Sequence, residues 1–291
     1  MDTADSADGG ETDAAGRCVI RRLTEYDRPA LLRLLDQDEA YALFLAGHLE
    51  YFSLSSPLMR YWGLFHDGQL VGALKLVGRR AALYAPTNVD VDPLARQAAY
   101  ERCSFTMGRP DLVDAVLKYY DAQAAQRRDE HYLAGLMEGQ PPVVLPEGVT
   151  ARRAAERDLH ALVDLYRGTE GFEQIRDDQL RRILAARISD LRTYVIEYHD
   201  RLLAGASTSA ESAVAAMIGG VWTAPEARNR GYATAVVAAL ARELLEQGRH
   251  PYLFYLRNNK AAARVYHKNG FRVIGEWSVA YLSLDAVPRL P

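Results

Sequence analysis

Cysteine is almost missing from this sequence. Two of 291 residues are Cys, Cys18 and Cys103, and neither sits in a metal-binding or redox spacing, which argues against a disulfide framework and a structural zinc site. No apolar run approaches the 18 or more residues of a membrane-spanning helix. The N-terminal stretch has no basic segment leading into an apolar core, so no secretory signal is read there. Net charge is nearly absent as well: 35 bases against 38 acids leave −3, which gives no global attraction to nucleic acid or to an anionic membrane. The nucleotide-binding signature GxxxxGK[ST] does not occur, which disfavours nucleoside triphosphate chemistry. Only four bases are lysines (Lys75, Lys118, Lys260, Lys268), a bias of genome composition more than of function. These absences together predict a cytoplasmic protein without nucleic-acid or membrane partners.

What remains is an ordinary globular composition, 49% hydrophobic and 25% charged. The length fits roughly two domains at about 150 residues each. Residues 1–17 carry five acids (Asp2, Asp5, Asp8, Glu11, Asp13) against Arg17 and have no apolar pattern, so they read as a disordered acidic tail. The remainder, 18–291, is close to neutral.

That remainder repeats itself. Arg21, Arg22, Glu25, Asp27, Ala30, Leu31 and Leu34 recur 131 residues later as Arg152, Arg153, Glu156, Asp158, Ala161, Leu162 and Leu165. His66-Asp67-x-x-Leu70-x-Gly72-Ala73 recurs as His199-Asp200-x-x-Leu203-x-Gly205-Ala206, and Pro93-x-x-Arg96 as Pro225-x-x-Arg228. Three matches in the same order predict two copies of one unit, 18–145 and 146–291, joined through the Gly- and Pro-rich segment 139–148. In the second copy the patterns predict a short strand near 149–153 and a helix with Leu159, Leu162, Val163 and Tyr166 on one face. A helix over about 177–188 and a hairpin of 193–198 and 202–208 follow. Then come a strand at 214–223, a long helix from about 231 ended by Gly248, and a strand at 251–256. Asn259 caps a helix that Gly270 ends, and strand resumes at 271–284. Alternating strands and helices make the fold class α/β, with a mixed α+β sheet.

The segment Gly219–Thr234, GGVWTAPEARNRGYAT, passes from strand through turn to helix N-terminus. A helix start presents four unpaired N–H groups and a partial positive charge. Gly231 and Ala233 let a diphosphate approach the backbone, and Arg228 and Arg230 add charge. The same residues on their own would also serve as a solvated, arginine-rich loop.

Two motifs then carry a resemblance. Arg228-x-x-Gly231-x-Ala233, followed after one strand by Asn259-x-x-Ala262-x-x-x-Tyr266-x-x-x-Gly270-Phe271, resembles the GNAT superfamily of acyl-CoA-dependent N-acyltransferases, over most of 146–291. The resemblance implies two tandem GNAT-like domains and acetyl-CoA, or another acyl-CoA, as co-substrate, with no metal. It implies that backbone groups of Val221, Trp222 and Thr223 pair with the pantetheine arm. The diphosphate would rest on the amides of Arg228, Asn229, Arg230, Gly231, Tyr232, Ala233 and Thr234. Asn259 would hydrogen-bond the co-substrate with Ala262 close by, and Tyr266 would stand beside its sulfur.

A phenol near the sulfur can protonate the leaving thiolate as general acid. An attacking amine must also lose a proton, and three acids are open as the group that takes it: Glu211 before the central strand, and Glu170 and Glu173 in the loop 168–174. The family resemblance makes that loop an acceptor wall, with Phe172 a further contact. The side chain of Trp222 alternates to the opposite face and reads as packing. The seven histidines form no metal spacing; His66 and His199 read as equivalent hairpin residues. The first copy has Ala99 where the second has Gly231, lacks the Asn…Tyr motif, and places Asp111 at the start of its late helix, so it reads as a degenerate unit that binds no acyl-CoA. The expected acceptor is a small-molecule or peptide amine and the expected state a monomer or homodimer. A mycothiol-synthase-like tandem enzyme and a non-catalytic acyl-CoA sensor stay open as alternatives.

Overall fold

The computed structural model describes residues 18–47, 49, 52–136, 139, 141–167 and 175–290. The acidic tail and the loop 168–174, with Glu170, Phe172 and Glu173, lie outside the described residues. The first half of the chain forms β1 (Cys18–Arg22), α1 (Arg28–Leu35), α2 (Glu39–Ala46), β2 (Met59–His66), β3 (Gln69–Val77), β4 (Arg80–Tyr84), α3 (Asp92–Tyr100), β5 (Phe105–Gly108), α4 (Pro110–Leu117) and β6 (Ala125–Gly135). The second half forms β7 (Thr150–Arg153), α5 (Leu159–Arg167), α6 (Asp177–Asp190), β8 (Thr193–Tyr198), β9 (Arg201–Glu211), β10 (Ala215–Thr223), α7 (Tyr232–Glu246), β11 (His250–Leu256), α8 (Lys260–Lys268) and β12 (Arg272–Leu282).

Each half builds one compact unit, but the cut expected at 145/146 is not where the units divide. Unit 1 contains the chain up to Leu45, Tyr51–Asp129 and also Ser278–Pro291; unit 2 contains Ala46–Glu50 and Glu130–Trp277. The reason is strand pairing. In unit 1 the order β1-β2-β3-β4-β5 is extended by the end of β12, with Ser278–Tyr281 antiparallel to Phe105–Gly108. In unit 2 the order β7-β8-β9-β10-β11 is extended by the end of β6, with His131–Gly135 antiparallel to Tyr252–Leu256. The last strand of each unit therefore comes from the far end of the other copy. In both units one pair is parallel, β4–β5 and β10–β11, and a helix makes the crossover, α3 and α7 respectively.

The repeated residues have a structural cause. Asp27 accepts from Arg21 at 2.6 and 2.8 Å and from the backbone N–H of Thr24 at 2.9 Å. Asp158 accepts from Arg152 at 2.7 and 2.8 Å and from the N–H of Ala155 at 2.7 Å. In each unit one buried carboxylate thus ties the first strand to the turn that opens the first helix. The other two matches are shifted. Both hairpins have a two-residue turn with positive φ at each centre, Asp67-Gly68 and His199-Asp200, as the twist of antiparallel strands favours. His66, however, is the last residue of β2, paired with Gln69, so it is not the counterpart of His199. Pro93 and Arg96 lie inside α3, whereas Pro225 and Arg228 precede α7.

The core of unit 2 gathers Leu162, Val163 and Tyr166 of α5, Ala216 and Ile218 of β10, and Val236, Val237, Leu240 and Leu244 of α7. These are the apolar stripes legible in the sequence. Gly248 (φ +72°) and Gly270 (φ +88°) take the left-handed conformation just past α7 and α8 and end both helices. Among the described residues no helix is long and apolar enough to cross a membrane.

Candidate active site

Unit 2 opens between its two parallel strands. Rungs run from Ala215–His250 to Ile218–Leu253 and stop there. Pairing of β10 with β9 breaks at the same level, between Gly219 and Trp222, with Gly220 at φ +57°. Such a bulge bends its strand. Beyond it Val221, Trp222 and Thr223 diverge from β11, while Phe254, Tyr255 and Leu256 keep their rungs to β6. Backbone N–H and C=O groups on the facing edges of this split have no rung to each other, and a ligand amide can take them.

Two residues that the sequence reading did not single out for the site hold the bulge. The Tyr166 hydroxyl donates to the Gly220 carbonyl at 2.6 Å, and the Arg187 guanidinium lies 6.0 Å from the Tyr166 ring centre. The left-handed φ at position 220 favours glycine, and a Cβ there would fall 2.7 Å from Arg187 Nη1 and displace that side chain. Tyr166 was legible only as an apolar-face residue of α5; no sequence signal marked Arg187. Trp222 is buried edge-on against Tyr166 at 5.8 Å, so its side chain packs and only its backbone faces the split.

The split leads to the start of α7. Arg228 is extended and donates from Nε to the Thr223 carbonyl at 3.4 Å; Asn229 (φ +61°) and Gly231 (φ +83°) are left-handed. This curls the chain so that amides around 229–234 open a helix of 15 residues. Nothing lies within 4 Å of a Cβ built on Gly231. No protein atom crowds that position, which leaves room for a phosphate. Tyr232 is buried, Ala233 and Thr234 are half-buried, and Arg230 is exposed.

α8 faces the split from β11. Asn259 accepts from the Ala262 N–H at 2.9 Å through Oδ1, so its carbonyl caps the helix and its amide nitrogen is the part left for a ligand. Two turns on, Tyr266 is buried against Tyr255 of β11, ring centres 5.3 Å apart. Burial, and next the Tyr255 phenol, push the Tyr266 hydroxyl well above the usual phenol range, so it keeps its proton at neutral pH. Asn269, read from the sequence only as part of a helix end, donates from Nδ2 to the carbonyls of Thr234 and Val265, both at 3.1 Å, and ties α8 to the start of α7.

Glu211 does not belong to this site. It accepts from Thr208 Oγ1 at 2.5 Å, from Arg249 at 2.9 Å and from Arg192. It pairs with Ala216, three residues before Gly219, or roughly 10 Å at about 3.3 Å per residue. A carboxylate held by two guanidinium groups is a structural anchor. Among the described residues no cluster of His, Cys, Asp and Glu could hold a metal ion.

Unit 1 is closed at the corresponding place. The β3–β4 rungs are unbroken from Ala73–Tyr84 to Val77–Arg80, without a bulge. The parallel rungs of β4 and β5 run from Arg80–Phe105 to Ala82–Met107, and a Cβ on Gly108 of β5 would lie 3.8 Å from the Leu83 carbonyl of β4. α3 starts directly at Asp92, whose carboxylate stands at the helix start and accepts from Tyr119 at 2.6 Å; Ala99 lies inside the helix. Asp111 does open α4, clasped by Arg109 at 2.6 and 2.9 Å. Lys75 pairs across to Ala82 as Ser207 pairs to Gly219, and its ammonium, buried, donates to the Phe44 carbonyl at 2.5 Å.

Residues 200–280 match the family model described as FR47-like protein. A tandem GNAT protein from the clavulanic acid biosynthesis pathway superposes with TM-score 0.58 at 14% identity, covering 94% of this chain and 99% of its own. This chain has the tandem GNAT fold. A GCN5-related N-acetyltransferase from Sphaerobacter thermophilus superposes with TM-score 0.64 at 15% identity, covering 94% and 96%. A GNAT-family acetyltransferase from Colwellia psychrerythraea does so with TM-score 0.54 at 15% identity, covering 91% and 99%. By sequence alone, no curated protein matches the chain. The GNAT fold is thus built twice, and among the described residues only unit 2 carries the split and the curled helix start.

Proposed function

We propose that unit 2 transfers an acyl group, acetyl in the first instance, from acyl-CoA to an amine by direct transfer in a ternary complex. The observation that supports this most is the conjunction in one unit of the β10–β11 split, the Arg228–Thr234 curl and Tyr266. When bound, acyl-CoA supplies a thioester carbonyl open to nucleophilic attack. Amides of the curl hold the diphosphate in the space beside Gly231, with Arg228 and Arg230 adding charge. Edge groups of Val221–Thr223 take the pantetheine amides, and the Asn259 amide nitrogen donates to the same arm. The C–N bond forms as the C–S bond breaks, and Tyr266 gives its phenolic proton to the departing sulfur. The amine's proton leaves by a group or water on the acceptor side. Glu170 and Glu173 are the carboxylates proposed there and Phe172 the acceptor contact, since Glu211 is bound to arginines.

The test is thiol release from acetyl-CoA by the full chain across a panel of primary and secondary amines. Amine-dependent release is expected. Tyr266→Phe should lower kcat by about 100-fold with the acetyl-CoA Kd unchanged by calorimetry. Unchanged turnover in that variant removes the general-acid role. Binding of acetyl-CoA with no turnover for any amine would favour a sensor over an enzyme.

A further inference from the structure

Acyl transfer in unit 2 needs two parts in register, the curl that holds the diphosphate and the phenol that meets the sulfur. One buried side chain joins them. Asn269, just past α8, is 2% exposed and lies on the same side of the helix as Ala262, Val265 and Tyr266. We propose that Asn269 is a positioning residue for Tyr266, its carboxamide fixing the phenol relative to the curl. The inference rests on the acyl-transfer reading.

The connection can be followed atom by atom. Nδ2 of Asn269 donates to the Thr234 carbonyl at 3.1 Å. The other end of that peptide, the Ala235 N–H, donates to the Gly231 carbonyl at 3.0 Å and closes the first turn of α7 on the left-handed residue of the curl. A peptide is planar and rigid, so a hold on its oxygen is also a hold on its N–H. On the other side Nδ2 donates to the Val265 carbonyl at 3.1 Å. The Asn269 backbone N–H is shared between the carbonyls of Val265 at 3.3 Å and Tyr266 at 3.0 Å. Hydrogen bonds in series therefore lead from Gly231 to the backbone of Tyr266.

Stability alone does not account for an amide at this place. Thr234 and Val265 lie within α7 and α8, so their carbonyls already accept helical bonds. Asn269 Oδ1, in contrast, is buried and has no hydrogen-bond partner among the described residues. A buried acceptor left so is costly, and an apolar side chain of similar size would avoid the cost. What the amide adds is direction, since its two N–H groups point to two helices at once. The pantetheine arm has a fixed reach, so a diphosphate seated on the curl sets where the sulfur lies. A phenol misplaced by about 1 Å forfeits up to about 100-fold in rate. Unit 1 links the corresponding helices through Tyr119 and the Asp92 carboxylate at 2.6 Å, which puts an acid at the helix start. The link through Asn269 leaves the start of α7 to a phosphate.

Steady-state kinetics on the full chain test this, with acetyl-CoA and the amine of the panel that gives the fastest thiol release. Asn269→Leu removes both side-chain bonds at similar size. It should lower kcat by about 10- to 100-fold, with the calorimetric acetyl-CoA Kd within about threefold. Asn269→Asp, which keeps the shape and loses the donor, should do the same and carries the comparison if Asn269→Leu does not fold. The deciding readout is either variant combined with Tyr266→Phe. A residue that acts through Tyr266 has nothing further to lose there, so the double variant should match Tyr266→Phe alone, whereas independent effects would multiply. Wild-type kcat in a folded Asn269 variant, losses that multiply in the double variant, or a loss of acetyl-CoA affinity as large as the loss of kcat each overturn the positioning role while acyl transfer stands. No amine-dependent thiol release by the wild type overturns the acyl-transfer reading and the positioning role with it.

Discussion

Units 1 and 2 share strand order, crossover helix and the Arg–Asp clasp, yet they differ at three linked points. β10 bulges where β4 is straight. α7 is preceded by a left-handed curl where α3 begins at once with an acid. Ser207 in unit 2 is replaced by buried Lys75 in unit 1. What the two units have in common is the clasp, the apolar stripes and a borrowed final strand. The split and the curl belong to unit 2, the unit to which the proposed acyl transfer is assigned.

The sharpest way to break the comparison is to remove what one unit borrows. Deleting residues 278–291 strips the strand that pairs with β5 and should abolish the cooperative unfolding of unit 1. The expected loss is on the order of the domain's whole 5–15 kcal/mol, read by urea denaturation with fluorescence and CD. A deletion variant with an unchanged transition would mean the strand is dispensable.

Next in size is a substitution in the curl. Gly231→Val should weaken acetyl-CoA binding by about 100-fold, since its Cβ enters the space left for phosphate, while stability falls by only about 1–2 kcal/mol from the left-handed φ. Wild-type titration should give one acetyl-CoA per chain. Two sites would erase the functional difference between the units.

Lys75 sharpens the comparison from the other side. Burial pushes its ammonium down to about 7. The unfolded chain therefore holds more protons between about pH 7 and 10.5, and stability should rise with pH across that window. Lys75→Met should stabilise the protein by roughly 1–3 kcal/mol at pH 7, a gain that fades as pH approaches 10.5, measured as Tm against pH. Smallest is the effect at the shared clasp. The Arg21 guanidinium holds the Asp27 carboxyl down to about 2, and Arg152 likewise lowers Asp158. Folded values below unfolded ones mean a contribution present above about pH 4 and lost as pH falls toward 2. Asp27→Asn and Asp158→Asn should each cost about 1–2 kcal/mol at pH 7, with the cost shrinking below pH 4. A cost in one unit only would show that the clasp is not equivalent in the two.

Much of this was legible beforehand because it rests on local signals. Leu159–Tyr166 and Val236–Leu245 announced their helices by period, and Gly248, Asn259 and Gly270 announced the ends. Arg228, Gly231, Asn259 and Tyr266 were read in order from two motifs, and the structure gathers them around one split. What was not legible is non-local. The borrowed strands pair residues far apart in the chain, so the domain cut was misplaced. Glu211 looked like an acid before a strand; only folding brings Arg192 and Arg249 to it. Tyr166 and Arg187 act on Gly220 across unit 2, and no spacing rule links them. His66 and His199 matched by letter and missed by one place, because the turn register follows backbone twist and not residue identity.

The exchange of final strands also sets an order of assembly on the ribosome. Proteins made of domains ordinarily fold from the N-terminus as each domain emerges, at about 5–20 residues per second. Here β5 must wait for a partner synthesised roughly 170 residues later, a delay of roughly 10–30 s. Unit 2, by contrast, finds the strand it borrows already made when β11 appears. The copy translated first is the copy finished last, and until then it presents the bare edge of β5 to the nascent chain, an exposed edge that invites mispairing.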